Sequence, residues 1–117
     1  MSVEDLNAIS GRPGLLESVY EIALAYELRQ RGFLVDLQVP VPVQYRGVKF
    51  DEGYRLDLVV NGLVIVEIKS IEAVTAIHRK QILTYLRLTE RPLGLILNFN
   101  VNLMKDGISR IANGMED

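Results

Sequence analysis

The segment at residues 54–70, YRLDLVVNGLVIVEIKS, places Asp57, Glu67 and Lys69 among valine, leucine and isoleucine. Charged side chains are costly to bury unless they are paired, hydrogen-bonded or bound to a metal. Two neighbouring carboxylates suit a hard divalent cation such as Mg²⁺ or Mn²⁺, to which the backbone carbonyl of Ile68 would add a third oxygen ligand. A lysine beside such an ion can orient or deprotonate a water, or neutralise charge on a phosphorane. These residue types therefore indicate phosphodiester hydrolysis.

This hypothesis requires the three side chains to lie on one face of a strand pair. Side chains alternate along a strand, so Glu67 and Lys69 share a face. A two-residue Asn-Gly loop at residues 61–62 would turn Asp57 to the opposite face. A three-residue loop at residues 60–62, with the glycine left-handed as a bulge, shifts the register by one and brings Asp57 to the same face. We predict the three-residue loop.

The same residues also have a purely structural interpretation. On an antiparallel hairpin, Asp57, Glu67 and Lys69 can form a ladder of ion pairs on the solvent-facing side. Short motifs of this kind give many false positives. The spacing alone therefore does not decide between a metal site and a solvated face.

The hydrophobic pattern predicts a single α/β domain. The expected elements are a helix over 15–31 ended by Gly32, a strand over 33–45, two strands at 54–60 and 63–70, a helix within 72–90, and a strand over 93–99. Two prolines favour an edge position for the first strand. The second helix is expected to bury Ile77, Ile82, Leu83 and Leu86. The tail is expected to add a last strand or a packed loop. The order of the other elements predicts a mixed four-stranded sheet flanked by helices.

The composition excludes several classes of protein. The 117 residues include no cysteine and one histidine, His78, which rules out disulfides, thiolate metal sites and multi-histidine sites. No apolar run approaches the roughly 20 residues of a membrane-spanning helix. The polar N-terminus is unlike a secretory signal, so we expect a cytoplasmic domain without membrane contact. The net charge of −2 and the scattered Lys and Arg give no readable basic stripe for nucleic acid.

Several motifs together resemble a known family. The stretch GLLESVY carries Gly14, Glu17 and Tyr20 in a G-x-x-E-x-x-Y pattern, and QYRG, LDLVV, VEIK, HRKQILTYL and LGLILNFN follow it in the family's order. Over about residues 14–111 the sequence is similar to the GxxExxY protein family of the PD-(D/E)XK nuclease-like superfamily. The resemblance implies a restriction-endonuclease-like α-β-β-β-α-β core, which agrees with the order predicted from periodicity.

The resemblance also implies a metal site with Mg²⁺ or Mn²⁺ as cofactor. Asp57 corresponds to the motif's aspartate, although Arg-Leu stands before it in place of proline, and Glu67 and Lys69 correspond to its E-x-K. Glu17 corresponds to an acidic residue that many superfamily members add to the metal site. The implied metal ligands are therefore Asp57, Glu67, the Ile68 carbonyl and, in addition, Glu17.

Further residues are expected around these ligands. By resemblance, Gln81 and Tyr85 correspond to the Q-x-x-x-Y element of RecB-type members, where they would steady the lysine or touch the substrate backbone. Helical spacing places His78, Gln81 and Tyr85 on one stripe of the second helix, as it places Tyr20 on the stripe of the acidic residue in the first. Both tyrosines can equally be core aromatics, and the helix-starting glutamate can simply stabilise its helix dipole.

The expected domain organisation is an irregular or weakly helical segment at 1–13, the nuclease-like domain at 14–111 and a frayed tail at 112–117. Family members carry a longer helical run before the GLLE stretch, and a second copy of the chain could replace that wall in a homodimer. Two functions of different classes follow. The first is a metal-dependent nuclease acting on DNA or RNA, and the second is a catalytically silent nuclease-like fold that serves as a binding or dimerisation module.

Overall fold

A mixed five-stranded sheet carries the rest of the fold in this computed structural model, which describes residues 2–9 and 16–114 except for the side chains of residues 45 and 49–53. Segments rich in valine and isoleucine form the strands, as their β-branched side chains favour. The strands are β1 (Val35–Tyr45), β2 (Val48–Val60), β3 (Val64–Lys69), β4 (Leu93–Asn98) and β5 (Ile108–Ala112). The helices are α1 (Val3–Ile9), α2 (Glu17–Gln30) and α3 (Ala76–Thr89), with a 3₁₀ helix at Met104–Asp106.

The strands lie in the order β1-β2-β3-β4-β5. The first three run antiparallel to their neighbours, β3 and β4 are parallel and joined through α3, and β5 returns antiparallel to β4. This is the predicted α-β-β-β-α-β core. The sheet has five strands and not four, because the tail pairs with β4 instead of packing as a loop. The edge position predicted for the proline-containing strand is confirmed, since β1 lies at one end of the sheet.

Helices cover both faces of the sheet, and each face has its own core. On one face α1 and α2 pack over Leu58, Val60, Val66, Ile68 and Leu97. On the other face α3 packs over Leu56, Val59, Ile65 and Ile96. The sheet is thus apolar on both sides, which is typical of strands that are enclosed by helices.

Helix α2 is anchored by its buried residues, Tyr20, Leu24, Ala25 and Leu28. The ring of Tyr20 is 1% exposed and stacks on Phe99 with the ring centroids 4.5 Å apart. The predicted C-terminal glycine is confirmed, since Gly32 has a φ of 87°. The predicted helix start at residue 15 lies outside the described residues. The same holds for Gly14 and for the last residues of the tail. Within the segment predicted as irregular or weakly helical at 1–13, Val3–Ile9 is helical, and residues 1 and 10–13 lie outside the described part.

Helix α3 begins after Thr75, whose backbone N–H donates to Nδ1 of His78 at 3.0 Å. Ile82 and Leu86 are buried as predicted, whereas Ile77 is 78% exposed, so its assignment to the core was wrong. Ile77 lies on the side of α3 opposite the buried Leu86, so it faces away from the sheet. Among the described residues, no helix combines the length and hydrophobicity needed to cross a bilayer.

Partway along the β1–β2 hairpin, the side chains of β2 switch from one face of the sheet to the other. Leu58 packs under α2, but Leu56, two residues earlier on the same strand, packs under α3. Residues two apart on a regular strand share a face. The change occurs at Asp57, directly beside Gln38 of β1, whose φ of 53° interrupts the regular strand. The backbone is therefore irregular at the position of the candidate aspartate.

The chain after Lys69 is held in place by Asn98, which is 3% exposed at the end of β4. Its Oδ1 accepts from the backbone N–H groups of Ile71 and Asn100, each at 3.1 Å, and its Nδ2 donates to the Ile71 carbonyl at 2.9 Å. Gly107 lies so close to the Asn98 carbonyl that a Cβ would collide with it. These contacts fix where the strand that carries Glu67 and Lys69 ends.

Replacing Asn98 should therefore destabilise the protein. In Asn98→Ala, the N–H groups of the half-buried Ile71 and of Asn100 lose their acceptor, and the Ile71 carbonyl loses one of its two side-chain donors. Each buried group left unsatisfied costs about 1–3 kcal/mol. We expect the free energy of unfolding to fall by about 2–4 kcal/mol in urea denaturation.

Asn100→Ala is the matched control, because Asn100 is exposed and its side chain donates a single hydrogen bond to Ile71 at 3.2 Å. Its effect should stay below about 1 kcal/mol. Equal losses in the two variants would contradict this account of Asn98.

Candidate active site

Asp57 and Glu67 lie where β2 and β3 part. The ladder between the two strands runs through Val60–Val64, Val59–Ile65 and Leu58–Val66 and then stops. From there β2 continues alongside β1, and β3 continues alongside β4 as far as Lys69. We call this point the strand fork. The next pair in the same register would be Asp57 opposite Glu67.

The turn between the strands has three residues, as predicted, and it brings Asp57 to the side of Glu67. The predicted position of the loop was wrong by one residue, because Val60 pairs with Val64 and the loop occupies residues 61–63. Asn61 and Gly62 both have positive φ, at 52° and 67°. Asparagine tolerates the left-handed conformation, so the turn starts at Asn61 and leaves Val60 in the strand.

Backbone and side chains of the strand fork hold the two carboxylates together. Oε1 of Glu67 accepts a hydrogen bond from the Asp57 N–H at 3.2 Å, and Oδ2 of Asp57 accepts one from the Ile68 N–H at 2.8 Å. Oε2 of Glu67 accepts a hydrogen bond from the hydroxyl of Tyr54 at 3.2 Å. Each carboxylate is thus oriented by a donor on the opposite strand.

Glu67 is a buried carboxylate next to a second one. Its side chain lies at 1% exposure. Burial, and then the charge of Asp57, raise the pKa of Glu67 from 4.5 to about 8. At neutral pH and without a cation, Glu67 therefore keeps a proton and hydrogen-bonds to Asp57. Two such carboxylates cannot both ionise cheaply unless positive charge lies between them.

Glu17 approaches the strand fork from the first turn of α2. Its Oε2 accepts a hydrogen bond from the Ser70 N–H at 2.8 Å, directly after Lys69. A cavity of about 170 Å³ lies between α2 and the strand fork, lined by Glu17, Ser18, Glu21, Gln38, Asp57 and Ile68. The structure thus brings Glu17, Asp57 and Ile68 to one cavity, whereas Glu67 is not among the residues that line it.

Lys69 lies two residues after Glu67 and is half-buried. The ion pairs among the described residues are those of Arg31 with Asp5 and Glu27, so no described carboxylate lies within ion-pair distance of Lys69. The predicted alternative, a ladder of surface ion pairs, therefore does not form among the described residues. The ammonium group of Lys69 is available for another partner.

Of the residues predicted on α3, Tyr85 and Gln81 connect to the strand fork, whereas His78 contacts its own helix start. Tyr85 stacks on Tyr54 with centroids 4.4 Å apart, and Gln81 hydrogen-bonds to Tyr85. Burial and the charge of Glu67 both raise the pKa of Tyr85. His78 instead caps its own helix, with Nδ1 turned to Thr75. On α2, Tyr20 lies in the core against Phe99.

Sequence reasoning missed Tyr54, Glu21 and Gln38. Tyr54 bonds to Glu67, and Gln38 donates to Glu21 at 2.6 Å beside Asp57. Burial is the main cause that raises the pKa of Glu21, and the Asp57 charge adds to it. Glu21 lies four residues after Glu17, on the same helix face, which is a signal that could have indicated it. Tyr54 and Gln38 reach the site through strand pairing alone.

The strand fork fits a divalent cation in charge and in donor type. Its candidate ligands are carboxylate and carbonyl oxygens, which Mg²⁺ and Mn²⁺ prefer. Neither Asp57 nor Glu67 forms an ion pair with any described residue. The described residues do not form a ready cluster of three or more His, Asp or Glu around one point. A cation here would therefore rest on two carboxylates and complete its shell with carbonyl, water or substrate oxygens.

Comparison with known proteins agrees with this geometry. A family model described as the PD-(D/E)XK nuclease superfamily matches residues 8–111, so the chain belongs to that superfamily. The superfamily predicted from the sequence motifs is thereby confirmed. Its members generally depend on divalent metals. No curated protein and no solved structure matches the chain.

Glu67 should make the stability of the metal-free protein depend on pH. The folded chain keeps a proton up to about pH 8 that the unfolded chain releases near the ordinary pKa of 4.5. The free energy of unfolding should therefore fall as the pH rises from about 5 to about 8, by up to about 1.4 kcal/mol per pH unit from this group. Urea denaturation in chelator-containing buffers across this range measures the slope.

Glu67→Gln cannot lose a proton and should show a much flatter profile. Glu72→Gln changes an exposed glutamate in the same way and should keep the wild-type profile. If Glu67→Gln retained the full wild-type slope, the buried proton would have to be assigned to another group.

Proposed function

We propose that this protein is a Mg²⁺- or Mn²⁺-dependent nuclease that hydrolyses phosphodiester bonds of nucleic acid at the strand fork. The observation that carries the proposal is the pairing of Asp57 with the buried Glu67, with Lys69 two residues further along the same strand. Membership of the PD-(D/E)XK nuclease superfamily supports it. A purely structural strand pair has no need for a second carboxylate whose charge raises the pKa of a buried one.

In this proposal the strand fork holds the ion. Asp57, Glu67 and the Ile68 carbonyl would be its protein ligands, and Glu17 would reach the same cavity from α2. When bound, the ion supplies positive charge for the phosphate group and for its negatively charged transition state. With a cation held there, Glu67 would release to solvent the proton that it keeps in the metal-free protein, because the cation would balance the charge of Asp57.

Lys69 is the proposed partner of the attacking water. Its half-buried ammonium, without a carboxylate partner among the described residues, can donate to that water and to a non-bridging phosphate oxygen. The hydrogen bonds from the Ser70 N–H to Glu17 and of Asn98 to Ile71 fix the chain that follows Lys69. Precise placement of the ammonium is what makes such a donor effective.

Within the superfamily, we propose membership of the GxxExxY family. Two of its named positions have matching places in the fold: Glu17 faces the strand fork, and Tyr20, one turn later, anchors the same helix in the core. The pattern thus links a candidate site residue to the packing that holds it. The cytoplasmic location predicted from the sequence stays a prediction.

Helix α3 offers a surface for the substrate backbone. Lys and Arg looked scattered in the sequence, but α3 carries Arg79, Lys80 and Arg87 and no acidic residue. All three are exposed, and the latter two lie seven residues apart on one helix face. The same helix carries Gln81 and Tyr85 on its neighbouring face. Phosphate contacts of this kind supply most non-specific affinity for nucleic acid.

Metal binding and cleavage can be tested separately. Calorimetric titration of Mn²⁺ should show binding to the wild type that is lost in Asp57→Ala and Glu67→Ala. Lys69→Met should keep Mn²⁺ affinity but lose about 10²–10³ in cleavage rate, because it removes a transition-state donor and not a ligand. Single- and double-stranded DNA and RNA serve as substrates. A Lys69→Met variant that cleaves like the wild type would contradict the assigned role.

The surface of α3 predicts a second result. Lys80→Glu combined with Arg87→Glu should weaken binding of single-stranded nucleic acid by about tenfold or more at low salt and reduce the salt dependence of binding. Fluorescence anisotropy with a labelled oligonucleotide measures both quantities. Lys105→Glu reverses an exposed charge on the 3₁₀ helix that contacts α1, outside the pair Lys80 and Arg87, and should change affinity little. Equal losses in both proteins would show a general charge effect instead.

One observation favours the alternative function, a silent binding or dimerisation module. Helix α2 exposes the apolar side chains of Val19, Ile22 and Tyr26, and Leu16, directly before the helix, is exposed as well. Multi-angle light scattering tests this alternative. A stable dimer that loses its association in Ile22→Lys, together with no cleavage of any substrate, would replace the nuclease by the module.

A further inference from the structure

Tyr54 holds the carboxylate of Glu67 from the neighbouring strand. Its hydroxyl donates to Oε2 of Glu67 at 3.2 Å, while Oε1 accepts from the Asp57 backbone. Apart from the proton that Glu67 shares with Asp57, the Tyr54 hydroxyl is the one hydrogen-bond donor that a described side chain offers to this carboxylate. The position of Glu67 therefore depends on one backbone group and one tyrosine.

The ring of Tyr54 is itself held in place. It stacks on Tyr85 of α3 with centroids 4.4 Å apart and an angle of 14° between the rings. Tyr85 in turn hydrogen-bonds to Gln81, one turn earlier on the helix. A chain of contacts thus runs from Gln81 through both rings to Glu67. This gives Gln81 and Tyr85 a role that differs from the predicted contact with Lys69 or with substrate.

A hydroxyl donor suits both states of Glu67. With a cation present, the ionised carboxylate is an acceptor with several lone-pair sites, so the tyrosine can keep its bond while the ion is held. Groups that hydrogen-bond to a metal ligand and orient it commonly determine the metal affinity, and losing one typically lowers that affinity 10- to 100-fold. Tyr54 also lies three residues before Asp57, so β2 supplies one ligand and orients the other.

We propose that Tyr54 is the positioning residue of the metal site, whose hydroxyl, braced by the Tyr54–Tyr85 stack, sets the orientation of Glu67 towards the cation. This inference rests on the proposed function for its cation. It extends that function by assigning a role to a residue outside the predicted D…E-x-K set and by joining α3 to the metal ligands.

Tyr54→Phe tests the proposal, because it removes the hydroxyl and keeps the stacked ring. Calorimetric titration with Mn²⁺ alone should show an affinity about tenfold lower than in the wild type. At saturating Mn²⁺ the variant should recover most of the wild-type cleavage rate, since the defect lies in holding the ion. Tyr26→Phe makes the same change on a tyrosine that is 61% exposed on α2 and should leave Mn²⁺ affinity unchanged.

Thermal unfolding of the metal-free variants separates positioning from folding. Tyr54→Phe should unfold within a few degrees of the wild type, and a large destabilisation that accounts for the lost affinity would overturn the proposal. Wild-type Mn²⁺ affinity in Tyr54→Phe would also overturn the proposal for Tyr54, but it would leave the nuclease proposal intact. If the wild type itself bound no Mn²⁺, the metal-dependent function and this inference would both fail.

Discussion

The register of β2 against β3 is the constraint on which the site depends. Because a one-residue slip would turn every side chain to the other face, Asp57 and Glu67 meet only if the loop has an odd number of residues. The three-residue loop at 61–63 meets this condition, with Asn61 and Gly62 in the left-handed region. The apolar residues on both faces fix the same register, since Leu58 and Val66 must stay under α2.

The separation of β2 from β3 at Asp57 and Glu67 is what suits this pair to a metal site. In a continuous ladder the two residues would be ordinary cross-strand neighbours, whereas at the strand fork their carboxylates receive backbone N–H groups from the opposite strand. Burial then forces Glu67 to keep a proton as long as no cation is present. The fold thus brings two carboxyl groups to one point, and a cation held between them would also bring phosphate to Lys69.

Much of this architecture could be predicted from local sequence. The Val- and Ile-rich runs, the Asn-Gly turn and the E-x-K spacing report on neighbours along the chain, and they indicated the strands, the shared face and the candidate ligands. Residues with predominantly non-local contacts escaped prediction. Tyr54 becomes important only because β2 passes Glu67, and Gln38 only because the hairpin changes face at Asp57.

Two helix residues lie in surroundings that differ from those first predicted for them. Ile77 was assigned to the core of α3, but the helical period places it on the side opposite the buried Leu86, so it is exposed. Tyr20 shares the stripe of Glu17, and the path of α2 carries the tyrosine into the core while the glutamate faces the strand fork. A helical stripe specifies a direction around the helix, and the packing of the helix decides what lies there.

The most direct test of a cation at the strand fork is an anomalous difference map from crystals of the wild-type protein soaked in Mn²⁺. The account predicts a peak within about 2.0–2.5 Å of oxygen atoms of both Asp57 and Glu67, as for oxygen-ligated divalent ions. Loss of that peak in crystals of Glu67→Gln would confirm the assignment. A map with no peak at the strand fork, or with manganese only at surface carboxylates such as Glu4 and Asp5, would contradict it.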